Sequence, residues 1–346
     1  MEQPHRAARI EERLHAVVER RLHAQGWTPR VVPYVGYGGR GWVRVLARVL
    51  LMPPGSPRSV RTDGRGWRRF VSISASGVQV TVRIGADTHV VPTSRDGYVD
   101  VRLEVAEPLD PGWIHARLSV ADTEPVEAPL RVVGPGTTLG LLSDVDDTVI
   151  VTMLPQPLVA FRNAFLVRET DRRPVPGMAD LYADIVAGHP DVLVVYLSTG
   201  AWNTAAALTG FLARHRYPPG PLLLTDWGPT DEGWFRSGQA HKRAQLARLF
   251  ADFPDVRWLL VGDDGQHDPS LYAEAAATHP DHVCGIAIRQ LSVTEQLAHH
   301  GTLAGPDPVT EPVADALGQN DPPSVWGPDG QALAHGLREH GILPPQ

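Results

Sequence analysis

The stretch LLSDVDDTVIV, residues 141–151, sets Asp144, Asp146 and Asp147 within four positions between two apolar runs. Carboxylates this close repel one another, and burying one without a partner is costly. Three readings compete for the arrangement. A calcium loop of the EF-hand type counted from Asp144 requires Gly at its sixth position and Glu at its twelfth, where this chain has Val149 and Pro155, so that reading fails. A helix cap needs one oxygen, not three carboxylates. The remaining option is a site for a hard cation facing a phosphate.

Further polar residues stand at comparable places. The strand-like runs LGLLS, VLVVYLS and RWLLVG lead into Asp144 to Thr148, into Ser198 and Thr199, and into Gly262, Asp263 and Asp264, with Asp268 following shortly after. In open α/β sheets, ligands bind just beyond the carboxyl ends of the strands. Lys242 lies between the last two runs, in the first turn of an expected helix. Of 32 basic side chains, 31 are Arg and Lys242 alone is Lys. A compact ammonium differs from a planar guanidinium in what it can pair with; without a partner motif, a chance survivor on a helix surface is the simpler reading.

The elements that must position these residues follow from periodicity. From about 137 to 302, PLLLT and VCGIAIR join the apolar runs above as strands, and MADLYADIVAG, NTAAALTGFLARHR, AHKRAQLARLFADF and DPSLYAEAAATH read as helices between them. Continuous apolar strands alternating with helices predict a doubly wound α/β domain with a parallel sheet. Residues 69–136 alternate apolar and polar, with turns at short intervals, which predicts a smaller all-β, antiparallel, sandwich-like domain. Residues 1–68 read as an amphipathic helix over 7–25 followed by a basic, Gly- and Pro-rich segment of loops around one or two short strands. Residues 303–346 read as a Pro- and Gly-rich tail with one helix near Gln331–His340. Trp27, Trp42, Trp67 and Trp113 are expected in the core, and Trp202 at a substrate entrance.

Taken in order, DVDDT, a strand ending in Ser198, Lys242 and GDDGQHD resemble the four-motif set of the haloacid dehalogenase-like phosphatases. Within that superfamily, SDVDDTV, RPVPGMADLY, YLSTGAWN, PLLLTDWG, HKRAQL and VGDDGQHDPSLY are similar to the phosphatidate phosphatase catalytic-domain family over about 136–292. The second motif departs from the usual Ser-Asn-Ser-Pro-Trp: here it is Ser198-Thr199-Gly200-Ala201-Trp202, which keeps the Ser and the Trp.

The resemblance implies a Rossmann-like fold and covalent catalysis. Asp144 would attack phosphorus to give an aspartyl-phosphate, and Asp146 would protonate the leaving oxygen and then activate water. Mg²⁺ would be held by Asp144, the backbone carbonyl of Asp146, and Asp263. Lys242, partnered by Asp144 and Asp268, would cancel further charge. Ser198, Thr148 and the backbone N–H of Thr199 would bind phosphoryl oxygens. Asp147 and Asp264 have no assigned task. His241, His267, His299 and His300 show no metal-ligand spacing.

Only 43 residues separate Thr148 from Val192, and 43 separate Ser198 from Lys242, and both intervals already hold expected helices. A large cap is therefore not expected. An open site suits a substrate presented by a surface, or is covered by the β-domain in place of a cap. The resemblance makes a phosphatidate-like lipid the leading substrate. A small soluble phosphate ester or a phosphoprotein stays open, as does a non-catalytic module that binds anionic membranes.

Composition bounds these options. With one cysteine, Cys284, no intrachain disulfide or multi-thiolate metal site is available, and a reducing compartment is expected. The first 25 residues lack the apolar core of a secretory signal, and no run approaches the roughly 20 apolar residues that span a bilayer. A cytoplasmic protein is expected, with peripheral contact at the inner membrane surface as a further option. Residues 1–69 hold fourteen Arg against five Asp or Glu within a chain of net charge −7. That asymmetry suits an anionic surface or a solvated arginine-rich face. No nucleic-acid motif accompanies it, and no nucleic-acid partner is expected.

Overall fold

A computed structural model describes residues 21–22, 24–55, 73–121, 123–151, 172–225, 234–265, 267–300 and 322–344. The chain divides into two units, Met1–Val132 and Val133–Gln346. Among the described residues, no helix is long and apolar enough to cross a membrane.

Among the described residues, the first unit holds nine strands: β1 (Thr28–Pro33), β2 (Gly36–Gly39), β3 (Trp42–Met52), β4 (Ile73–Ser74), β5 (Gln79–Ile84), β6 (Asp87–Pro92), β7 (Tyr98–Glu104), β8 (Gly112–Val120) and β9 (Val126–Val132). All belong to one mixed sheet. Alternate residues of β3, from Val43 to Leu51, share one apolar cluster with Val82 of β5, Val99 of β7, Leu118 of β8 and Leu130 of β9. The period of two is what puts these residues on one face.

Three expectations are corrected here. Residues 28–52, read as loops around one or two short strands, supply three strands, and β3 at 11 residues is the longest strand among the described residues. Its second face carries Arg44 and Arg48 but also buries Leu46, Leu50 and Met52, so WVRVLARVLLM lacks the clean alternation of a half-exposed strand. The sheet is also not purely antiparallel, because β2 runs parallel to β9 with Gly36 level with Leu130. Trp113, expected in the core, is 44% exposed. The helix expected over 7–25 lies, but for its last residues, outside the described residues, as does Trp67.

The second unit is α/β. Its strands are β10 (Leu139–Asp144), β11 (Ile150–Val151), β12 (Arg173–Pro174), β13 (Leu193–Ala201), β14 (Leu222–Thr225), β15 (Arg257–Asp263), β16 (Val283–Arg289) and β17 (Ser324–Gly327). Its helices are α1 (Met178–Gly188), α2 (Ala205–Arg214), α3 (Trp234–Asp252), α4 (Asp268–Thr278), α5 (Val293–His300) and α6 (Gly330–Glu339). Six strands form a sheet in the order β14-β13-β10-β15-β16-β17, and every pair in it is parallel. Strands β11 and β12 form a separate antiparallel pair.

The chain runs outward from β10 to β13 and β14, then returns to the other side of β10 for β15 to β17. This reversal makes the carboxyl end of β10 a topological switch point, where neighbouring connections diverge and leave a crevice. All six residues of β10 are buried, as its central place requires. The segment expected as a tail contributes here: β17 pairs with β16, the Gly330 N–H donates to the Pro176 carbonyl at 3.0 Å, and Arg338 of α6 bonds Asp184 of α1 at 2.5 Å. Pro and Gly content concealed this short strand, while the helix expected near Gln331–His340 is present as α6. Residues 303–321 lie outside the described residues.

At the seam between β10 and β15, Gly140 is level with Trp258. A Cβ on Gly140 would stand 2.5 Å from the indole ring, and Trp258 is fully buried. Gly140→Val is therefore expected to destabilise the second unit by about 1–3 kcal/mol through overpacking. A lowered denaturant midpoint with an unchanged far-ultraviolet spectrum would show it; an unaltered midpoint would contradict the packing described.

Candidate active site

Strands β10, β13 and β15 deliver Asp144, Ser198 and Asp263 to the switch point. Asp144 is level with Leu197 on one side, and Ser143 is level with Val261 on the other. Helix α3 packs against β13 and β14 and carries Lys242 inward, while α4 begins at Asp268 and packs against β15 and β16. The two helices meet, and on their exposed side Arg243 forks onto Glu274 at 2.8 and 2.9 Å. That pair contributes little in water.

At the centre, Lys242 Nζ lies 2.7 Å from Asp144 Oδ1 and 2.6 Å from Asp268 Oδ1. Asp144, Asp263 and Asp268 each present a carboxylate oxygen such that all three lie within 4.8 Å of one another. All three are buried, and Lys242 is 4% exposed. Asp268 can come this close because residue 262 is Gly: a Cβ there would stand 2.6 Å from Asp268 Oδ2. Asp268, expected as a partner of Lys242, thus also stands in the carboxylate cluster.

Asp146 faces a different neighbour. Ser198 Oγ donates to its Oδ2 at 3.0 Å and accepts from the Gly200 N–H at 2.9 Å. Thr148 is fully buried, and its Oγ1 has no hydrogen bond among the described residues. Thr199 is half-buried; its carbonyl accepts from Thr225 Oγ1 at 2.9 Å. Trp202, expected at an entrance, is buried. Every residue singled out for chemistry therefore lies at the carboxyl edge of the parallel sheet or in the helices that flank it.

The electrostatics show what such crowding costs. Burial, then Asp268 and Asp146, push the Asp144 carboxyl well above its usual range, although Lys242 opposes them. Burial and the carboxylates of Asp268 and Asp144 do the same to Asp263. Asp146 is pushed up to about 6 by burial and by Asp147, against the Ser198 hydrogen bond. Burial works to lower the pKa of Lys242, but Asp144 and Asp268 outweigh it and hold the ammonium protonated. One ammonium thus serves several buried acids.

This imbalance, and the donor set, fit a divalent cation. The ligands are all oxygens, as hard cations prefer. Asp144 Oδ2, Asp263 Oδ2 and Asp268 Oδ2 are buried with no hydrogen bond among the described residues, so each has a lone pair to give.

The sequence assigned no task to several residues that organise this edge. Ser143 Oγ donates to the Asp144 carbonyl at 2.6 Å and pairs with the Tyr182 hydroxyl at 2.5 Å. Asp264 Oδ1 accepts from the Leu291 N–H at 2.8 Å, which gives that residue a structural task. Asp147 is buried and adopts a φ of 55°; its carbonyl accepts from Arg289 at 2.7 Å. The one sequence signal for this last group is Ser292-x-x-Glu295, the spacing of a capping box ahead of α5. His267 is exposed at the start of α4.

Comparison with known proteins agrees with the span of this geometry. Residues 139–290 match the family model described as "Phosphatidate phosphatase APP1, catalytic domain". Phosphatidate phosphatase APP1 of Saccharomyces cerevisiae is 26% identical over 214 residues, covering 60% of this chain and 36% of that protein. An uncharacterized protein of Schizosaccharomyces pombe is 25% identical over 154 residues, covering 44% of this chain and 25% of that one. The chain thus spans about a third or less of the length of these curated relatives. Among solved structures, a carbohydrate acetylesterase from Xanthomonas citri aligns over 76% of this chain and 68% of its own, with 11% identity and a TM-score of 0.28. A score that low says nothing of fold or function. The carboxylate cluster, Lys242 and the Asp146–Ser198 pair all fall inside the span, residues 139–290, that matches this family model.

Proposed function

We propose that this protein is a Mg²⁺-dependent phosphatase of the haloacid dehalogenase-like kind, and that it removes phosphate from a phosphatidate-like lipid. The observation that carries the proposal is the buried meeting of Asp144, Asp263 and Asp268 around Lys242. The lipid part of the reading rests on the match to the family model and on the name of the yeast relative. The same reading takes the second unit as a doubly wound, Rossmann-like domain without a large cap and the first as a sandwich-like companion. It expects a cytoplasmic protein that meets its lipid at the inner membrane surface.

Asp144, Asp263 and the backbone carbonyl of Asp146 would hold the Mg²⁺, with Asp268 within reach; bound there, it supplies positive charge to offset the clustered acids and the substrate dianion. Asp144 attacks phosphorus, forming a carboxyl–phosphorus bond as the ester P–O bond breaks. Asp146, whose pKa burial and Asp147 raise to about 6, acts in its protonated form and gives its proton to the leaving oxygen. As a carboxylate it then takes a proton from the water that hydrolyses the aspartyl-phosphate, which releases inorganic phosphate and restores Asp144. Ser198 orients Asp146 through its 3.0 Å hydrogen bond. Thr148 and the Thr199 N–H offer donors to phosphoryl oxygens. Lys242 favours the ionised form of Asp144 and holds the carboxylate in place, a task for a point cation with two carboxylate neighbours.

Four outcomes are expected. Phosphate release from phosphatidate in mixed micelles should require Mg²⁺ and exceed release from small phosphate esters under matched conditions. Asp144→Asn should lower it by at least about a thousandfold with the fold intact; an unchanged rate would remove Asp144 from the mechanism, and equal rates on small esters would remove the lipid. Mg²⁺ at about 100 times its Kd should stabilise the wild type by about 2.7 kcal/mol, read as a raised unfolding midpoint, and Asp263→Asn should lose that rise. Lys242→Met, which leaves buried carboxylates unpaired, should cost about 3–5 kcal/mol of stability, and Lys242→Arg should not restore turnover.

A further inference from the structure

The turn that follows β10 is held from behind by a residue two strands away. Within the turn, the Asp147 N–H donates to the Ile150 carbonyl at 2.8 Å, and the Val149 and Ile150 N–H groups donate to the Val145 carbonyl at 3.0 and 3.1 Å. Asp147 adopts a left-handed φ of 55°, a region that costs a non-glycine residue energy and persists only where the surroundings enforce it. The enforcing contact comes from Arg289, the last residue of β16 and 4% exposed. Its Nη1 donates to the Asp147 carbonyl at 2.7 Å, and its Nη2 donates to Glu295 Oε1 at 2.6 Å.

Both ends of this bridge are themselves fixed. Glu295 Oε2 accepts from the Ser292 N–H and Oγ, each at 2.8 Å, so the capping box of α5 aims the carboxylate at the guanidinium. The Arg289 carbonyl accepts from the Asp264 N–H at 3.0 Å, which ties the loop after β15 to the same residue. Two nitrogens of one planar group reach two separate acceptors, a geometry that a single ammonium does not reproduce.

We infer that Arg289 is a positioning residue: oriented by Glu295, it clamps the Asp147 carbonyl and thereby sets the turn that presents Asp146 and Thr148 beside Asp144. The clamp rests on the reading of Asp146 as the acid and base. It acts on turnover and not on affinity, because it touches the backbone behind the reacting groups. A misplacement of about 1 Å is enough to cost about a hundredfold in rate.

Arg289→Lys tests this in the full chain, since it keeps a cation beside Glu295 while losing the second arm. Should that variant fail to fold, the double change Arg289→Met with Glu295→Met removes both charges without leaving either unpaired. Amide exchange is followed by mass spectrometry for the peptide spanning 145–151, alongside kcat and KM on phosphatidate micelles. The expected result is exchange in that peptide at least about tenfold faster, with peptides of β13 and β14 unaltered, and kcat lowered about tenfold to a hundredfold at nearly constant KM. Unchanged exchange in 145–151, or a uniform rise across the chain, overturns the clamp. Altered exchange with wild-type kcat overturns its link to turnover. If the wild type releases no phosphate from any ester, the functional reading falls separately, and the exchange comparison still decides whether Arg289 sets the turn.

Discussion

Buried negative charge is the constraint on which the second unit depends. Asp144, Asp146, Asp147, Asp263 and Asp268 are all buried at one sheet edge, and Lys242 is the ammonium placed among them. An isolated carboxylate in such surroundings is strongly disfavoured, so the fold must supply compensation at short range. It does so through Lys242 for two acids and through the Ser198 hydroxyl for a third. What is left over is the negative potential that suits a divalent cation and, in the proposed reaction, an acid still protonated when substrate arrives.

The parallel sheet makes that concentration of charge possible. Its strands are apolar along their length and turn polar only at their carboxyl ends, where connections to opposite sides diverge. The hydrophobic cost of holding acids together is thus confined to one edge, while Trp258, Tyr182 and Tyr196 and the aliphatic residues behind them supply the packing. The Ser143–Tyr182 pair and the Arg289–Glu295 pair work from beneath and behind that edge. Each spends buried polar groups on backbone carbonyls of the Asp144–Asp147 segment, which fixes a backbone that repulsion would otherwise spread apart.

Much of this was legible in the residues. Continuous apolar runs followed by Asp, Ser or Asp located β10, β13 and β15, and the helical spacing between them located α1 to α4, because burial on both faces leaves a plain compositional mark. Unpartnered acids in a row are rare enough to demand a cation or a lysine, and Lys242 stood out for its rarity in this chain. Residues 28–52 were less legible: β3 buries Leu46, Leu50 and Met52 on the face that also carries Arg44 and Arg48, and the glycines of β2 mimic a loop. The strand β17 was hidden by the Pro- and Gly-rich segment around it, although helix α6 was legible. Asp147 and Asp264 lacked a task because their partners, Arg289 and Leu291, lie far away in sequence.

The sequence by itself determined the kind of chemistry on offer, since residue types and their spacing settle which oxygens and which cation reach the strand ends. The family resemblance already implied Lys242 beside Asp144 and Asp268, and the ion pairs form there. Only the tertiary structure decided that Ser198 pairs with Asp146 and that Arg289 reaches the Asp147 carbonyl as well as Glu295. Local pattern encodes which face of a strand or helix is buried, because that depends on a period of two or 3.6 residues. It carries no record of which buried polar group lies opposite another, because that depends on strand order and register across the sheet.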